Sequence, residues 1–169
     1  MKLNLNKITL VILLSLATFA CKKDKKNDPV PNPVPSPSSW FNAKVGNVLD
    51  FNGDTLKSSV DTFMYQKRKI TQVSCLDAAN YKMILSFESR DTGNFELGIP
   101  GTLNYLRFID PNENIWSSIP QSGNLHITKY DTLENTISGV FNGSIKKFSP
   151  PFDTIVVTNG TFENIEIIK

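Results

Sequence analysis

Apolar residues from Trp40 onward recur in short runs with a period of two, separated by polar turn residues. This is the spacing of side chains on one face of a β-strand. No window of a dozen residues shows sustained helical spacing, and a single helical turn is expected at Asp77–Ala79. The pattern predicts strands at Phe41–Val45, Thr62–Gln66, Ile70–Leu76, Tyr81–Glu88, Tyr105–Ile109, Leu125–Tyr130, Thr136–Phe141, Thr154–Thr158 and Phe162–Ile168.

Dipeptides that favour tight turns lie between these apolar runs. Asn-Gly is a strong hairpin signal because both residues tolerate a positive φ. We therefore predict hairpin turns at Asn52-Gly53, Asn142-Gly143, Asn159-Gly160, Ser122-Gly123 and Pro100-Gly101.

A series of hairpins predicts an antiparallel meander, which either closes into a barrel or folds over as two stacked sheets. We expect an all-β domain, a sandwich or partly open barrel, with little or no helix apart from the signal peptide described below. The side chains predicted to face inward are Phe41, Phe63, Ile84, Phe87, Leu125, Ile127, Ile137, Phe141, Ile155, Val157, Phe162 and Ile165.

The N-terminus is organised like a bacterial export signal. Lys2 and Lys7 precede an apolar run of 13 residues, Ile8 to Ala20, which fits a signal peptide and is too short to cross a bilayer as a helix. The segment Thr18-Phe-Ala-Cys21 resembles the lipobox of bacterial lipoproteins. That resemblance implies a signal peptide at residues 1–20 and a diacylglycerol on Cys21; the alternative is a plain secreted protein whose cysteine is incidental.

A tether is predicted between this cysteine and the β-rich part of the chain. Residues 22–28 are rich in lysine, and proline occupies every second position from Pro29 to Pro37. Alternating prolines favour polyproline II, which gives these nine residues a length of about 28 Å. We predict a disordered tether at residues 21–39 that holds a single all-β domain, residues 40–169, away from the lipid headgroups.

Several segments of the β-rich region resemble a family of Bacteroidota lipoprotein domains of unknown function. They are Phe41-Asn-Ala-Lys-Val45, Gly101-Thr-Leu-Asn-Tyr105, Gly123-Asn-Leu-His-Ile-Thr-Lys-Tyr-Asp131, Thr136-Ile-Ser-Gly-Val-Phe141 and Val157-Thr-Asn-Gly-Thr-Phe162. These motifs are turns and core positions, so the resemblance implies a fold and transfers no active site.

The net charge of +2 is unevenly distributed. From Pro29 onward there are 12 Lys and Arg against 14 Asp and Glu, a net of −2. A slightly acidic domain lacks the electrostatic footprint expected for nucleic-acid binding. Because the segment after Cys21 is mostly basic, the sequence leaves open whether the lipoprotein faces the periplasm or the cell surface.

Residues suited to catalysis or metal binding are sparse. Cys75 is expected to be a buried thiol and His126, the only histidine, a solvated strand residue; a Cys75–His126 dyad is the weaker alternative. Asp110-Pro-Asn-Glu-Asn114 begins like a calcium loop but lacks its glycine and distal glutamate, so we expect a turn. Glu88, Asp91 and Glu96 are the remaining acids considered for glycoside hydrolysis. We predict no catalytic residue, no metal and no cofactor.

Two further patterns point to carbohydrate. Trp40, Tyr105, Trp116 and Tyr130 are candidates for a sugar-stacking platform; Trp116 is expected to be exposed in its polar loop, and Trp40 more often caps a core. Asp54-Thr55-Leu56, Asp131-Thr132-Leu133 and Asp153-Thr154-Ile155 resemble the Asp-Thr-aliphatic acceptor sites for O-glycosylation in the Bacteroidota periplasm. Each is equally compatible with a turn capped by its Asp.

The sequence therefore predicts a monomeric, non-catalytic β-module, anchored to the outer membrane through acyl chains on Cys21. Its expected partner is a glycan or an envelope protein. The alternatives are a calycin-like carrier of a small apolar ligand and, less favoured, a small hydrolase.

Overall fold

The computed structural model describes residues 39–47 and 49–168, the side chains of 55–57 excepted. The predicted signal peptide, Cys21 and all of the tether except Ser39 lie outside this range. The described residues form nine strands: β1 (Trp40–Val45), β2 (Leu49–Tyr65), β3 (Arg68–Asp77), β4 (Lys82–Phe87), β5 (Gly93–Leu97), β6 (Tyr105–Ile109), β7 (Ile115–Asp131), β8 (Thr136–Lys147) and β9 (Thr154–Glu166).

Eight of these strands close into an antiparallel barrel. The order around the ring is β7-β6-β4-β3-β2-β1-β9-β8, and β8 pairs back onto β7. The early part of β7 pairs with β6, whereas its residues Gly123–Ile127 pair with β5. The barrel is therefore partly open beside β5, and the all-β prediction is confirmed.

Most of the predicted glycine turns are wrong. Only Pro100-Gly101 lies in a loop; Asn52-Gly53, Ser122-Gly123, Asn142-Gly143 and Asn159-Gly160 all lie inside long strands. At Asn159 the positive φ of 52° accompanies a shift in the register of β9 against β1 and β8, which is a β-bulge. Asn-Gly therefore marks a bend in a continuous strand at this position.

The sharp turns use other residues. β2 and β3 are joined by Gln66 and Lys67, which adopt φ values of 47° and 69° in a two-residue hairpin. Asp77, expected in a helical turn, instead accepts hydrogen bonds from the N–H groups of Ala79 and Tyr81 at 2.8 and 2.9 Å. The carboxylate closes a turn between two strands, so no helical turn forms there.

Aromatic rings fill the interior of the barrel. The Phe41 ring lies 5.7 Å from Phe51, 5.6 Å from Phe141 and 5.8 Å from Phe162, measured between centroids. Such edge and offset contacts add to the free energy of burying the rings. The side chains predicted to be inside and found there are Phe41, Phe87, Leu125, Ile127, Ile137, Phe141, Val157, Phe162 and Ile165.

Three predicted core residues behave differently. Phe63 is 41% exposed because it lies near the tip of the β2–β3 hairpin, so this prediction is wrong. Ile84 is buried, but it lies outside the core cluster and alternates along β4 with the inward-facing Met83 and Leu85, which places it on the outer face. Ile155 is partly buried and packs against the core.

The strand directions define two ends of the barrel. β1 begins at Trp40 at the end that we call proximal, where the β2–β3 hairpin, the β4–β5 loop and the β7–β8 turn also lie. The opposite, distal end carries the β1–β2, β3–β4, β6–β7 and β8–β9 connections.

Candidate functional site

A surface groove of about 580 Å³ lies at the proximal end, between the start of β3 and the β4–β5 loop. It combines four cations with two carboxylates, a net charge of +2 in a domain that is slightly acidic as a whole. Its lining residues are Lys67, Arg68, Lys69, Glu88, Ser89, Arg90 and Asp91.

One ion pair fixes the shape of this groove. Arg68 Nη1 donates to Glu88 Oε1 at 2.7 Å and to the carbonyl oxygen of Gly101 at 2.6 Å. Glu88 Oε1 also accepts the backbone N–H of Leu103 at 2.7 Å, and Thr71 Oγ1 donates to the carbonyl oxygen of Ser89. These bonds hold the β4–β5 and β5–β6 loops against the β3 side of the β2–β3 hairpin, close to its turn.

The remaining cations of the groove are available to a ligand. Lys67, Lys69 and Arg90 are exposed and make no ion pair within the part of the chain that the structure describes. Asp91, the other acid, accepts the N–H of Thr92 at 2.7 Å. The groove is therefore suited to an anionic group, which Lys and Arg bind by charge-assisted hydrogen bonds.

Next to the groove, the tip of the β2–β3 hairpin exposes three consecutive apolar side chains. Phe63, Met64 and Tyr65 are 41%, 57% and 48% exposed. The strand prediction included these residues but assigned Phe63 to the interior. The sequence signal is the run Phe63-Met-Tyr65, separated by Gln66 from the run Lys67-Arg-Lys69, because it breaks the alternation of apolar and polar residues.

The four aromatic residues considered for sugar stacking do not form a platform. Trp116 is only 8% exposed and belongs to the core, so its predicted exposure is wrong. Its ring lies 5.8 Å from that of Phe108. Trp40, on β1, is 37% exposed, whereas Tyr105 is on β6, four strands away around an eight-strand ring.

Tyr105 instead belongs to a polar layer on the outer face of β3, β4 and β6. Its hydroxyl accepts a hydrogen bond from Gln72 Nε2 at 2.9 Å, and the guanidinium of Arg107 lies 4.9 Å from its ring centroid. Tyr130, at the end of β7, is partly buried against the core. Of the four rings, that of Trp40 is the one left exposed.

Cys75 and His126 lie on opposite faces of the barrel wall. Cys75 is fully buried, and burial raises the pKa of its thiol to about 11 despite a hydrogen bond from Ser58 Oγ at 2.9 Å. His126 is exposed and alternates along β7 with the inward-facing Leu125 and Ile127. The buried thiol and the solvated histidine are confirmed, and the structure does not bring the dyad together.

The acidic loop between β6 and β7 is a turn. Asp110 Oδ1 accepts the N–H groups of Asn112 and Asn114, and Asp110 Oδ2 accepts Asn114 Nδ2 at 2.7 Å. Although desolvation raises the pKa of Asp110, these hydrogen bonds lower it below its usual range. Within residues 39–47 and 49–168 no group of three or more His, Cys, Asp or Glu is placed to hold a metal ion.

The proposed hydrolytic acids do not form a pair that is free for catalysis. Glu88 is bonded to Arg68 and Leu103 as described, while Asp91 and Glu96 are exposed.

No helix among the described residues is both long and apolar enough to cross a membrane.

The threonine is exposed in two of the three Asp-Thr-aliphatic segments. Thr132 and Thr154 are exposed, and the side chain of Thr55 lies outside the described set. Asp131 also caps the turn, since its Oδ1 accepts the N–H groups of Leu133 and Glu134 at 2.9 Å each. The capping interpretation is confirmed for Asp131, and O-glycosylation stays a prediction at Thr55, Thr132 and Thr154.

Comparison with known proteins assigns the chain to a family for which no activity is given. Neither the curated proteins nor the solved structures contain a match to this chain. One family model matches residues 41–166, which covers every strand except the first residue of β1. The chain belongs to the family described as a domain of unknown function, DUF6252.

Proposed function

We propose that this protein is a membrane-anchored lipoprotein of the cell envelope, whose barrel is a non-catalytic binding or structural module. The observation that carries the proposal is Thr18-Phe-Ala-Cys21, placed directly after an apolar run of 13 residues. Acyl chains on Cys21 would hold the chain at the outer membrane, on the periplasmic or the cell-surface side.

The free energy of such an anchor is large. Each buried methylene contributes about 0.8 kcal/mol, so two or more acyl chains make attachment effectively permanent. A module held in this way works at a high local concentration beside the membrane, and its own affinity for a partner does not need to be high.

The arrangement of reactive groups supports a module without catalysis. A nucleophile needs a base within hydrogen-bond reach. Cys75 is inside the barrel with a raised pKa, His126 is outside it, and Glu88 is already bonded to Arg68. We propose that the protein needs no cofactor.

A calycin-like carrier is the alternative that the eight-strand barrel favours. In such a carrier the interior encloses a ligand. Here the rings of Phe41, Phe51, Phe141 and Phe162 occupy the interior in mutual contact. We therefore prefer binding on the outer surface, of a glycan or an envelope protein.

Replacing each cysteine separately tests the anchor. We expect Cys21→Ala, or treatment of the native protein with the signal-peptidase inhibitor globomycin, to block processing. The Cys21→Ala chain should also lose the membrane association that acyl chains provide. Cys75→Ala is the matched control and should be processed and sedimented like the native chain, because Cys75 is buried in the barrel. Unchanged processing and sedimentation of Cys21→Ala would contradict the proposal.

A further inference from the structure

The β2–β3 hairpin projects beyond its neighbours at the proximal end. β3 pairs with β4 only as far as Thr71, and β1 pairs with β2 only as far as Gly53. Beyond those points Phe63–Tyr65 pairs with Arg68–Ile70 in a two-stranded ribbon, and residues Phe63–Lys69 form its tip. This tip is a two-stranded extension of the barrel wall, and Arg68 bonds it on one side to Glu88 and to the carbonyl oxygen of Gly101.

The ribbon carries a combination of residues that is unusual for a projecting edge. Such edges are normally blunted with charge. This one exposes Phe63, Met64 and Tyr65, together with the cations Lys67 in the turn and Lys69 on the opposite strand. Exposed rings beside Lys and Arg suit a partner that has negatively charged groups at its surface and an apolar region directly beneath them.

The ribbon lies at the end of the barrel where the first strand begins. β1 starts at Trp40 at the same end of the barrel, directly after the predicted tether. The exposed ring of Trp40 therefore belongs to the end that the tether enters.

The opposite side of the proximal end has a different charge. There, in the β7–β8 turn, Lys129 Nζ is paired with Glu134 at 2.7 Å and with Asp131 at 3.7 Å. Among the described residues of the proximal end, the groove cations without an ion pair, Lys67, Lys69 and Arg90, thus lie on the side of the β2–β3 ribbon.

We propose that the β2–β3 ribbon docks on the anionic headgroups of the membrane that anchors the chain. In this arrangement Phe63, Met64 and Tyr65 enter the interface, and Lys67, Lys69 and Arg90 contact lipid phosphates. The inference rests on the proposed function, because the acyl anchor is what keeps the ribbon close to a bilayer.

The length of the tether permits this contact. Cys21 to Ser39 is 19 residues, which span at most about 65 Å when fully extended. That distance is an upper limit on the separation of barrel and membrane. Ribbon docking draws the domain back to the headgroups, in contrast to the sequence-based expectation that the stalk only holds it away.

Depth-dependent fluorescence quenching tests the proposal on the full chain. Tyr65→Trp places an indole at the ribbon tip, and Phe152→Trp places one at the distal end, where Phe152 is exposed beside Lys146. Each chain is reconstituted in phosphatidylcholine vesicles with or without phosphatidylglycerol, with brominated acyl chains as quenchers. The signal of the native chain, from Trp40 and Trp116, is subtracted.

We expect quenching of the Tyr65→Trp chain in phosphatidylglycerol vesicles and little in the Phe152→Trp chain. Adding Lys67→Gln and Lys69→Gln should weaken docking about fivefold per cation removed. Equal quenching at the two ends, or quenching independent of phosphatidylglycerol, would overturn the proposal. If the indole instead becomes more protected from solvent as the density of protein on the vesicles rises, independently of lipid charge, the ribbon contacts a second copy of the chain. That result would also overturn the proposal.

The two proposals fail in distinguishable ways. The acyl mass on Cys21 is measured on the same preparation before reconstitution. A chain without acyl groups contradicts the anchor, whereas an acylated chain without quenching at the ribbon contradicts the docking alone.

Discussion

At the scale of single residues, the glycines of the long strands make room for aromatic rings. A methyl group on Gly160 would lie 2.5 Å from the Phe141 ring, and one on Gly139 would lie 2.7 Å from the Phe162 ring. Neither glycine has a positive φ. Steric space, and not backbone freedom, is what requires glycine at these two positions.

Replacing Gly160 should therefore destabilise the barrel through a clash. We expect Gly160→Ala to lower the free energy of unfolding by about 1–3 kcal/mol, measured by urea denaturation. Because the clash is with the Phe141 ring, Gly160→Ala should cost less in a Phe141→Leu background. Equal costs in the two backgrounds would contradict the steric explanation.

The raised pKa of Cys75 should appear in the pH dependence of stability. The folded state keeps the thiol protonated up to about pH 11, whereas in the unfolded chain the thiol has its ordinary pKa of 9.0 and ionises earlier. Between these pH values the folded state binds more protons, so the stability contribution is lost as pH rises.

Urea denaturation at several pH values measures this loss. We expect the native chain to lose about 2 kcal/mol more than Cys75→Ala between pH 9 and 11. The variant serves as the control because the two chains share every other titratable group. Parallel profiles for the two chains would contradict the buried-thiol assignment.

At the scale of elements, the Arg68–Glu88 pair connects the hairpin to two loops. Both side chains are partly exposed, so the ion pair itself contributes about 1 kcal/mol or less to stability. Its larger effect is local order, since the same carboxylate oxygen accepts the N–H of Leu103.

We expect Glu88→Gln to speed amide hydrogen exchange at Leu103, with a small change in global stability. The amide side chain keeps one acceptor but loses the charge that holds Arg68. Asp91→Asn is the matched control, because Asp91 bonds only its neighbour Thr92 among the described residues, and it should leave Leu103 unchanged. Slower or unaltered exchange in Glu88→Gln would contradict this role.

Element types were more predictable from the sequence than element ends. The period of two identified strands correctly at 105–109 and near Trp40, because one face of each is buried. Turn chemistry was misleading, because the same positive φ that favours a hairpin at Asn159-Gly160 also suits a bulge inside β9. The real β2–β3 turn uses Gln66-Lys67, which carries no such signal.

At the scale of the whole molecule, closure of the barrel depends on pairing between distant segments. β1 pairs with β9, and β7 pairs with both β6 and β8. Local periodicity contains no information on which edges meet, so the sequence left a sandwich and a partly open barrel unresolved. Family membership over residues 41–166 agrees with the resemblance to domains of unknown function and leaves the lipoprotein features as a prediction.

The candidate site was less predictable than the fold. The cationic groove joins Lys67–Lys69 to Glu88–Asp91, which are about 20 residues apart in the chain and come together through strand pairing. Trp116 was expected at the surface because its loop is polar, yet the strand alternation of β6 and β7 directs the indole inward beside Phe108. The polarity of the neighbouring residues in the sequence does not indicate whether a strand residue points into the core or towards solvent.

The mass of the N-terminal peptide of the protein purified from membranes shows whether Cys21 is lipidated. We predict a peptide that begins at Cys21 and carries a diacylglycerol on the thiol. A peptide that begins at Met1, or one that begins near residue 21 without acyl groups, would contradict the anchor on which both proposals depend.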